Sequence, residues 1–349
     1  MSKEYIWNLS DLKDIKPNNL KVFSCFSCSG GSSMGYKLAG FEVIGNNEID
    51  KKINSIYVKN HHPKHNFNCD IREMINMKLP DELYNLDILD GSPPCSVFSM
   101  SGKREECWNK KKRFKEGQKL QKLDDLFFYF INLAQKLKSK VVVAENVKGL
   151  ILGKSKGYVN EIIKAFKKAN YEPQIFLLNS KFMGVPQARE RVFFIAKRKD
   201  LELSKLNLKF NEKPIVYDEF KDKNFKPVNK KTKIYELWLQ RNPKDMGLDD
   251  INLRLNGKES LFNNRFIHNN KVCPTLISGN KILRFDVPGT LSERDIKIIQ
   301  TFPQDFNFCE GNVNYICGMS VPPIMMKKIA NQIYEQIFKK TKKTGEKIE

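Results

Sequence analysis

The chain has no uninterrupted apolar run of about 18 residues, and its opening segment, MSKEYIWNLSDLKDIKPNN, lacks the apolar core that a secretory leader needs. No membrane span is expected, and a soluble protein of the cytoplasm is. Acidic residues are scarce beside basic ones: 40 Asp and Glu stand against 61 Lys and Arg, a formal net charge of +21. That excess favours a polyanionic partner, nucleic acid before an anionic membrane surface, although a lysine-rich proteome raises the charge of any of its proteins. The eight cysteines are scattered (25, 28, 69, 95, 107, 273, 309 and 317) and include one CxxC pair, Cys25 and Cys28. With no second pair and no His-x-x-x-His to complete four ligands, a zinc site is not expected, and reduced thiols are. The stretch HHPKHNFNC, holding His61, His62, His65 and Cys69, reads as a polar, solvated turn rather than a metal site. No internal repeat is found.

What is there is ample material for a core: 349 residues, of which 40% are hydrophobic and 11% aromatic, enough for one large and one small domain. Short apolar, β-rich runs (Lys21 to Phe26, Phe41 to Gly45, Leu86 to Leu89, Val141 to Ala144, Ile175 to Leu178, Val192 to Ala196) alternate with helical patterns such as DDLFFYFINLAQKL and YVNEIIKAFKKA. Such alternation predicts an α/β sheet with helices on both faces and ligands at the carboxyl ends of its strands. After Arg198 the rhythm breaks into irregular, Lys- and Asn-rich sequence, and PPIMMKKIANQIYEQIF then restores an amphipathic helix that could rejoin the first domain.

Several strand ends carry chemistry. In KVFSCFSCSGGSSMGYKLAGFEVIGNNEID a strand runs into a small-residue turn with Gly30, Gly31 and Gly35, then a helix, then a second strand closed by Glu48. An acidic residue there is placed to bind a ribose hydroxyl; the spacing is not G-x-G-x-x-G and no basic residue stands by, so a nucleoside cofactor without phosphates fits better than NAD. Asp70, in NCDIREM, follows a third strand, where it could accept from an adenine amine or simply cap a helix. In GSPPCSVFSMSGK, Pro93 and Pro94 must stop the strand and fix the chain direction, displaying Cys95 at the sheet edge ahead of a flexible serine-rich loop. VVVAENVKGL ends a buried parallel strand with Glu145 and Asn146, and a carboxylate in such company would have a raised pKa. GVPQARERVFFIA sets Arg189 and Arg191 before another strand, able to pair with Glu145, contact a phosphate or nucleobase, or line a solvated edge.

Together FSCSGGSSMG with Glu48 and Asp70, GSPPCSVFSMSGK, ENVKGL, GVPQARERVFFIA, and LSERDIKIIQTFPQDF followed by GMSVPP closely resemble the cytosine-5 DNA methyltransferases, the S-adenosylmethionine enzymes of restriction-modification type. The resemblance covers nearly the whole chain outside its middle region. It implies a Rossmann-like methyltransferase sheet with helices on both faces plus a smaller irregular target-recognition domain. Residues 1–205 would form the catalytic domain, 206–289 the target-recognition domain, 290–340 a hinge and C-terminal helix completing the catalytic domain, and 341–349 a disordered basic tail.

The resemblance also implies roles. Cys95 would attack carbon 6 of a flipped cytosine, with Glu145 on ring nitrogen 3 and the exocyclic amine, Asn146 shaping the pocket, and Arg191 and Arg189 supporting the base and Glu145. S-Adenosylmethionine contacts would fall to Phe26, Ser27, Gly30, Gly31, Glu48, Ile49, Asp70, Ile71, Pro93, Leu126, Ser320 and Val321, and DNA contacts of the closing loop to Ser99 and Ser101. The implied partner is double-stranded DNA acted on by a monomer, with any cognate restriction endonuclease linked functionally and not physically. One branch of the family acts on tRNA with the same Cys and Glu, which keeps an RNA substrate open. Cys28 in place of a usual glycine, Ser96 in place of glutamine, Met319 in place of asparagine and the missing arginine shortly before Leu126 depart from the family pattern, and none removes a group that carries the chemistry.

Overall fold

The alternating pattern folds as its periodicity requires in the computed structural model, which describes residues 3–94, 125–152, 156–258, 261, 264–279 and 282–339. The chain divides into two compact units: one built from Leu12–Leu178, Glu190–Lys209 and the residues from Met326 on, the other from the N-terminal residues to Asp11, Asn179–Arg189 and Phe210–Met325. Residues 290–325, expected with the catalytic domain, thus group with the middle region.

In chain order the first unit forms β1 (Lys21–Cys25), α1 (Gly31–Leu38), β2 (Glu42–Asn47), α2 (Lys51–His61), β3 (His65–Phe67), α3 (Ile71–Asn76), β4 (Ile88–Gly91), α4 (Leu126–Leu137), β5 (Val141–Val147), α5 (Lys156–Lys168) and β6 (Tyr171–Asn179). β7 (Gln187–Ala188) belongs to the second unit, and β8 (Glu190–Arg198) returns to the first. The seven-stranded sheet has the order β3-β2-β1-β4-β5-β8-β6. β1 to β5 run parallel, and β8 runs antiparallel to β5 over seven residue pairs, from Val141 opposite Lys197 to Val147 opposite Arg191. That ladder carries β5 through Glu145 and Asn146, which lie inside the strand rather than just beyond it. One apolar cluster fills a face of the sheet, joining Phe23, Leu89, Val142 and Ala144 to Phe127, Phe130 and Leu137 of α4 and Ile162 and Phe166 of α5. At the C-terminal end Tyr334 packs edge-on against Phe41 with ring centroids 6.4 Å apart, and the Gln336 side chain bonds the Asn207 backbone.

The solvated turn expected over His61 to Cys69 is not found. His61 ends α2 and is buried, and His65 opens β3, because pairing of β3 with Gly45, Asn46 and Asn47 of β2 pulls the segment into the sheet.

The second unit contains a four-stranded sheet of two-residue strands and a small core of Leu237, Trp238, Leu248, Ile251, Phe266 and Leu283. Trp238 closes that core by donating its indole N–H to the Arg284 carbonyl at 2.8 Å. β7 pairs in parallel with Cys273–Pro274, and the Gln187 side chain ties this pair to Leu276 N (3.0 Å) and Gln300 Oε1 (2.7 Å).

Asp90 is one of several buried polar residues on the strands of the first unit's sheet. It lies buried on β4 opposite Ser24, accepting from Ser24 Oγ at 2.8 Å and Tyr36 OH at 3.4 Å. Burial pushes its carboxyl pKa up to about 7. The folded protein therefore keeps this proton to about pH 7, whereas an unfolded aspartate loses it near pH ~4. The associated stability is full below pH ~4 and is lost as the pH rises to about 7. D90N is expected to be more stable than wild type at pH 8, by up to about 4 kcal/mol, with the gain fading by pH ~4. Urea unfolding at several pH values measures this, and a pH-independent difference would contradict it.

Candidate active site

The order β2-β1-β4 makes β1 a switch point: the sheet grows from it in both directions, the position at which open α/β sheets generally take ligands at their carboxyl ends. The turn after β1 is tightly wound. Phe26, Cys28 and Gly30 all have positive φ (49°, 48° and 92°), Gly30 N donates to Ser27 O at 2.9 Å, and Ser27 N donates to Asn47 O at 3.1 Å. Only glycine fits at position 30, since a Cβ there would lie 2.1 Å from His61 Nε2. Gly31 begins α1 directly after it.

Glu48 follows β2 and is gripped from both sides: Cys28 N donates to its Oε2 at 2.9 Å and Asp50 N to its Oε1 at 3.0 Å. Burial pushes its pKa up to about 7 despite these donors. Ile49 beside it is 37% exposed, an apolar side chain left at the edge. Asp70 caps α3, accepting from Arg72 N at 2.9 Å, and pairs with the Arg72 guanidinium at 3.3 Å. Ile71 and Leu126 belong to one apolar cluster and Phe26 packs against it, with the Phe26 ring 6.4 Å from that of Phe130. The turn, Glu48, Asp70 and this apolar floor all follow carboxyl ends of neighbouring parallel strands. Two acidic side chains, a glycine-lined turn and an apolar floor with no basic side chain among them could hold a nucleoside without phosphates.

At the far end of β5 the Glu145 carboxylate accepts from Arg191 Nε at 3.0 Å, with both side chains nearly buried. Asn146 reaches the other way, donating from Nδ2 to Pro93 O at 3.1 Å while its Oδ1 accepts from Val147 N at 2.9 Å. The second side chain of ENV therefore anchors the proline pair that ends β4. Cys95, Ser96, Ser99 and Ser101 lie outside the described residues.

The two arginines separate. Arg191 lies on β8 in the large sheet, whereas Arg189, between β7 and β8, belongs to the second unit and is itself buried. Rather than pairing with Glu145, its guanidinium donates to Leu276 O and Gly318 O, each at 3.1 Å. Ser320 and Val321 also belong to the second unit. Ser320 follows the helix Val313–Met319, donating from Oγ to Ile316 O at 2.8 Å and accepting at its carbonyl from Gln300 Nε2 at 2.6 Å. Sequence reading missed Asp90 and the buried His61; an aspartate breaking the apolar run ILDG was the available signal for the first.

The family model for C-5 cytosine-specific DNA methylases matches residues 20–335. The chain belongs to this family. Its relatives include a type II methyltransferase of Fusobacterium nucleatum, 38% identical over 189 residues that make up 53% of this chain and 49% of that protein. A type II methyltransferase of Neisseria gonorrhoeae is 29% identical over 318 residues, 87% of this chain and 83% of its own. The chain thus spans about half of the first relative's length and most of the second's. An orphan methyltransferase of Bacillus phage SPR is 33% identical over 201 residues, 56% of this chain and 42% of the relative. Among solved structures, a candidate DNA modification methyltransferase encoded within an E. coli prophage superposes with a TM-score of 0.63 at 22% identity, over 91% of this chain and all but 1% (99% covered) of that one. DNMT2 of Spodoptera frugiperda does so with a TM-score of 0.62 at 17% identity, over 90% and 100%. These likenesses show a shared fold, and the family is one of enzymes. No described helix is long and apolar enough to cross a membrane.

Two stability predictions follow from this geometry. R191M strands the Glu145 carboxylate in a nearly dry site and is expected to cost about 3 kcal/mol in urea unfolding, most of it regained in the E145Q/R191M double variant. C28G, which restores glycine at a left-handed position, is expected to stabilise by about 1 kcal/mol, read as a raised Tm.

Proposed function

We propose that the chain methylates carbon 5 of cytosine within a short sequence of double-stranded DNA, using S-adenosylmethionine, as part of a restriction-modification or orphan phage-type methylation system. The observation that carries this reading is the Glu145–Arg191 pair at one strand end beside Asn146, whose amide holds the proline turn leading into Cys95. A carboxyl fixed by a guanidinium is suited to read the polar edge of a base, and a rigid Pro-Pro turn is suited to aim the next side chain.

In this reading the target cytosine is flipped out of the duplex, because neither face of a stacked base is open to a thiol. Glu145 holds ring nitrogen 3 and the exocyclic amine. The Cys95 thiolate adds to carbon 6, ring nitrogen 3 takes a proton held by the Glu145 carboxyl, and the resulting neutral enamine makes carbon 5 nucleophilic. Bound S-adenosylmethionine supplies the electrophilic methyl group. Loss of the carbon 5 proton to a base and expulsion of the Cys95 thiolate then restore the aromatic ring. Glu48 would hold the ribose, Asp70 the adenine amine, and Ile49, Ile71, Phe26 and Leu126 its apolar surroundings, with Ser27, Gly30, Gly31 and Pro93 lining the rest; Ser320 and Val321 are assigned to the cofactor from their motif alone. Arg189 acts as a brace of backbone carbonyls, and Ser99 and Ser101 as loop contacts to DNA. Residues 206–289 are assigned to target recognition. The charge of +21 suits a protein whose affinity comes largely from phosphates.

Incubating plasmid DNA and bulk tRNA in parallel with tritiated S-adenosylmethionine is expected to label the DNA, and DNA containing 5-fluorocytosine is expected to trap a covalent complex that C95A cannot form. Label confined to tRNA would overturn the choice of substrate, and an undiminished complex with C95A would overturn the nucleophile.

A further inference from the structure

The turn that winds through Phe26, Cys28 and Gly30 is held from outside by a side chain that neither the motifs nor the mechanism employ. His61, the last residue of α2, is 6% exposed and places Nε2 3.1 Å from the Ser29 carbonyl oxygen. A carbonyl only accepts, so this nitrogen carries the hydrogen and donates it. On the other side of the ring, Nδ1 lies 3.5 Å from the Lys37 ammonium, which also donates to the His61 carbonyl at 3.2 Å. The ammonium selects the tautomer whose Nδ1 is a bare lone pair, the same tautomer that the Ser29 carbonyl requires. The two contacts agree, and the imidazole is locked as a neutral donor.

Its orientation is fixed as well. The Tyr57 ring, one helical turn earlier on α2, lies tilted at 34° against it with centroids 4.3 Å apart, and Tyr57 OH is bonded to Ser33 Oγ of α1 at 2.9 Å. The edge of the imidazole that carries Nε2 faces the bare Cα of Gly30, in the space a Cβ would take. Burial, with the Lys37 charge adding to it, lowers the His61 pKa to about 3, so the donor does not change character across the working range of pH.

We propose that His61 is a positioning residue for cofactor binding: its Nε2–H fixes the Ser29 carbonyl and so holds the Phe26–Gly30 turn in the left-handed winding that presents its backbone to the cofactor and sets Cys28 N–H against the Glu48 carboxyl. The proposal rests on the reading of that turn as the S-adenosylmethionine site. It assigns His61 no contact with the reacting atoms, so its effect falls on cofactor affinity and not on DNA affinity or on the rate at saturating cofactor.

Three variants separate this role from mere packing. H61F keeps the ring and loses the donor, H61Q keeps an amide nitrogen at the position of Nε2, and H61N places its nitrogen one bond short. Calorimetric titration with S-adenosylmethionine is expected to show affinity about tenfold weaker for H61F, the worth of one buried hydrogen bond, and within about threefold of wild type for H61Q. DNA affinity without cofactor and kcat at saturating cofactor are expected to stay near wild type, while deuterium exchange of the segment around Ser27 to Gly30 speeds up in H61F and H61N and not in H61Q. H61F binding as tightly as wild type, H61Q binding as weakly as H61F, or DNA affinity falling in parallel would overturn the inference. Should H61F lose its cooperative melt, H61Q against H61N decides: retention in the first and loss in the second supports the role, and equal affinity overturns it. A wild type that does not bind S-adenosylmethionine at all overturns the cofactor reading beneath the inference, an outcome distinct from wild type and H61F binding equally well.

Discussion

The functional geometry depends on one constraint, the common direction of five strands. Because β1 to β5 run parallel, whatever follows each of them emerges on the same edge of the sheet: the glycine turn after β1, Glu48 after β2, Asp70 after β3, the proline pair after β4, and Glu145 and Asn146 at the close of β5. An antiparallel strand begins where its neighbour ends, so β8 delivers Arg191 to that edge with its second residue, directly opposite Val147. Five carboxyl ends and one amino end thereby meet without any long connection having to bend toward the site.

Beneath this edge the interior is unusually polar for a parallel sheet. Ser24, Tyr36 and Asp90 form one buried group, and Ser33, Tyr57 and His61 another. Each member has a partner with defined geometry, and a satisfied network in low dielectric resists displacement more than apolar packing of the same area. The arrangement stiffens the floor under the turn after β1, which three residues of positive φ wind tightly.

Much of this was legible beforehand. Strand and helix alternation predicts the sheet because apolar periodicity is set by burial, and the site motifs can be placed because proline, glycine and paired charges have local consequences. The limits of local reading appear at His61 and Arg189. Among polar neighbours, HHPKH gives no sign that one of its histidines will be drawn under a turn thirty residues earlier, since that depends on how α2 lies against α1. Likewise Arg189 and Arg191 alternate in sequence like residues of one strand face, yet the chain leaves one sheet and enters another between them. The middle region is harder still, for its two-residue strands carry too little periodicity to register.

The division of the chain bears on how such a protein can be rearranged. The second unit is not one continuous stretch but three, and the backbone passes between the units at residues 11/12, 178/179, 189/190, 209/210 and 325/326. Cutting out 206–289 as a cassette would leave behind β7, whose pairing partner Cys273–Pro274 and whose Gln187 contact at Leu276 travel with the excised piece. Exchanging that stretch with a relative would therefore have to carry the Gln187–Ala188 segment with it, or draw on a donor that already matches at Gln187, Cys273, Pro274 and Leu276.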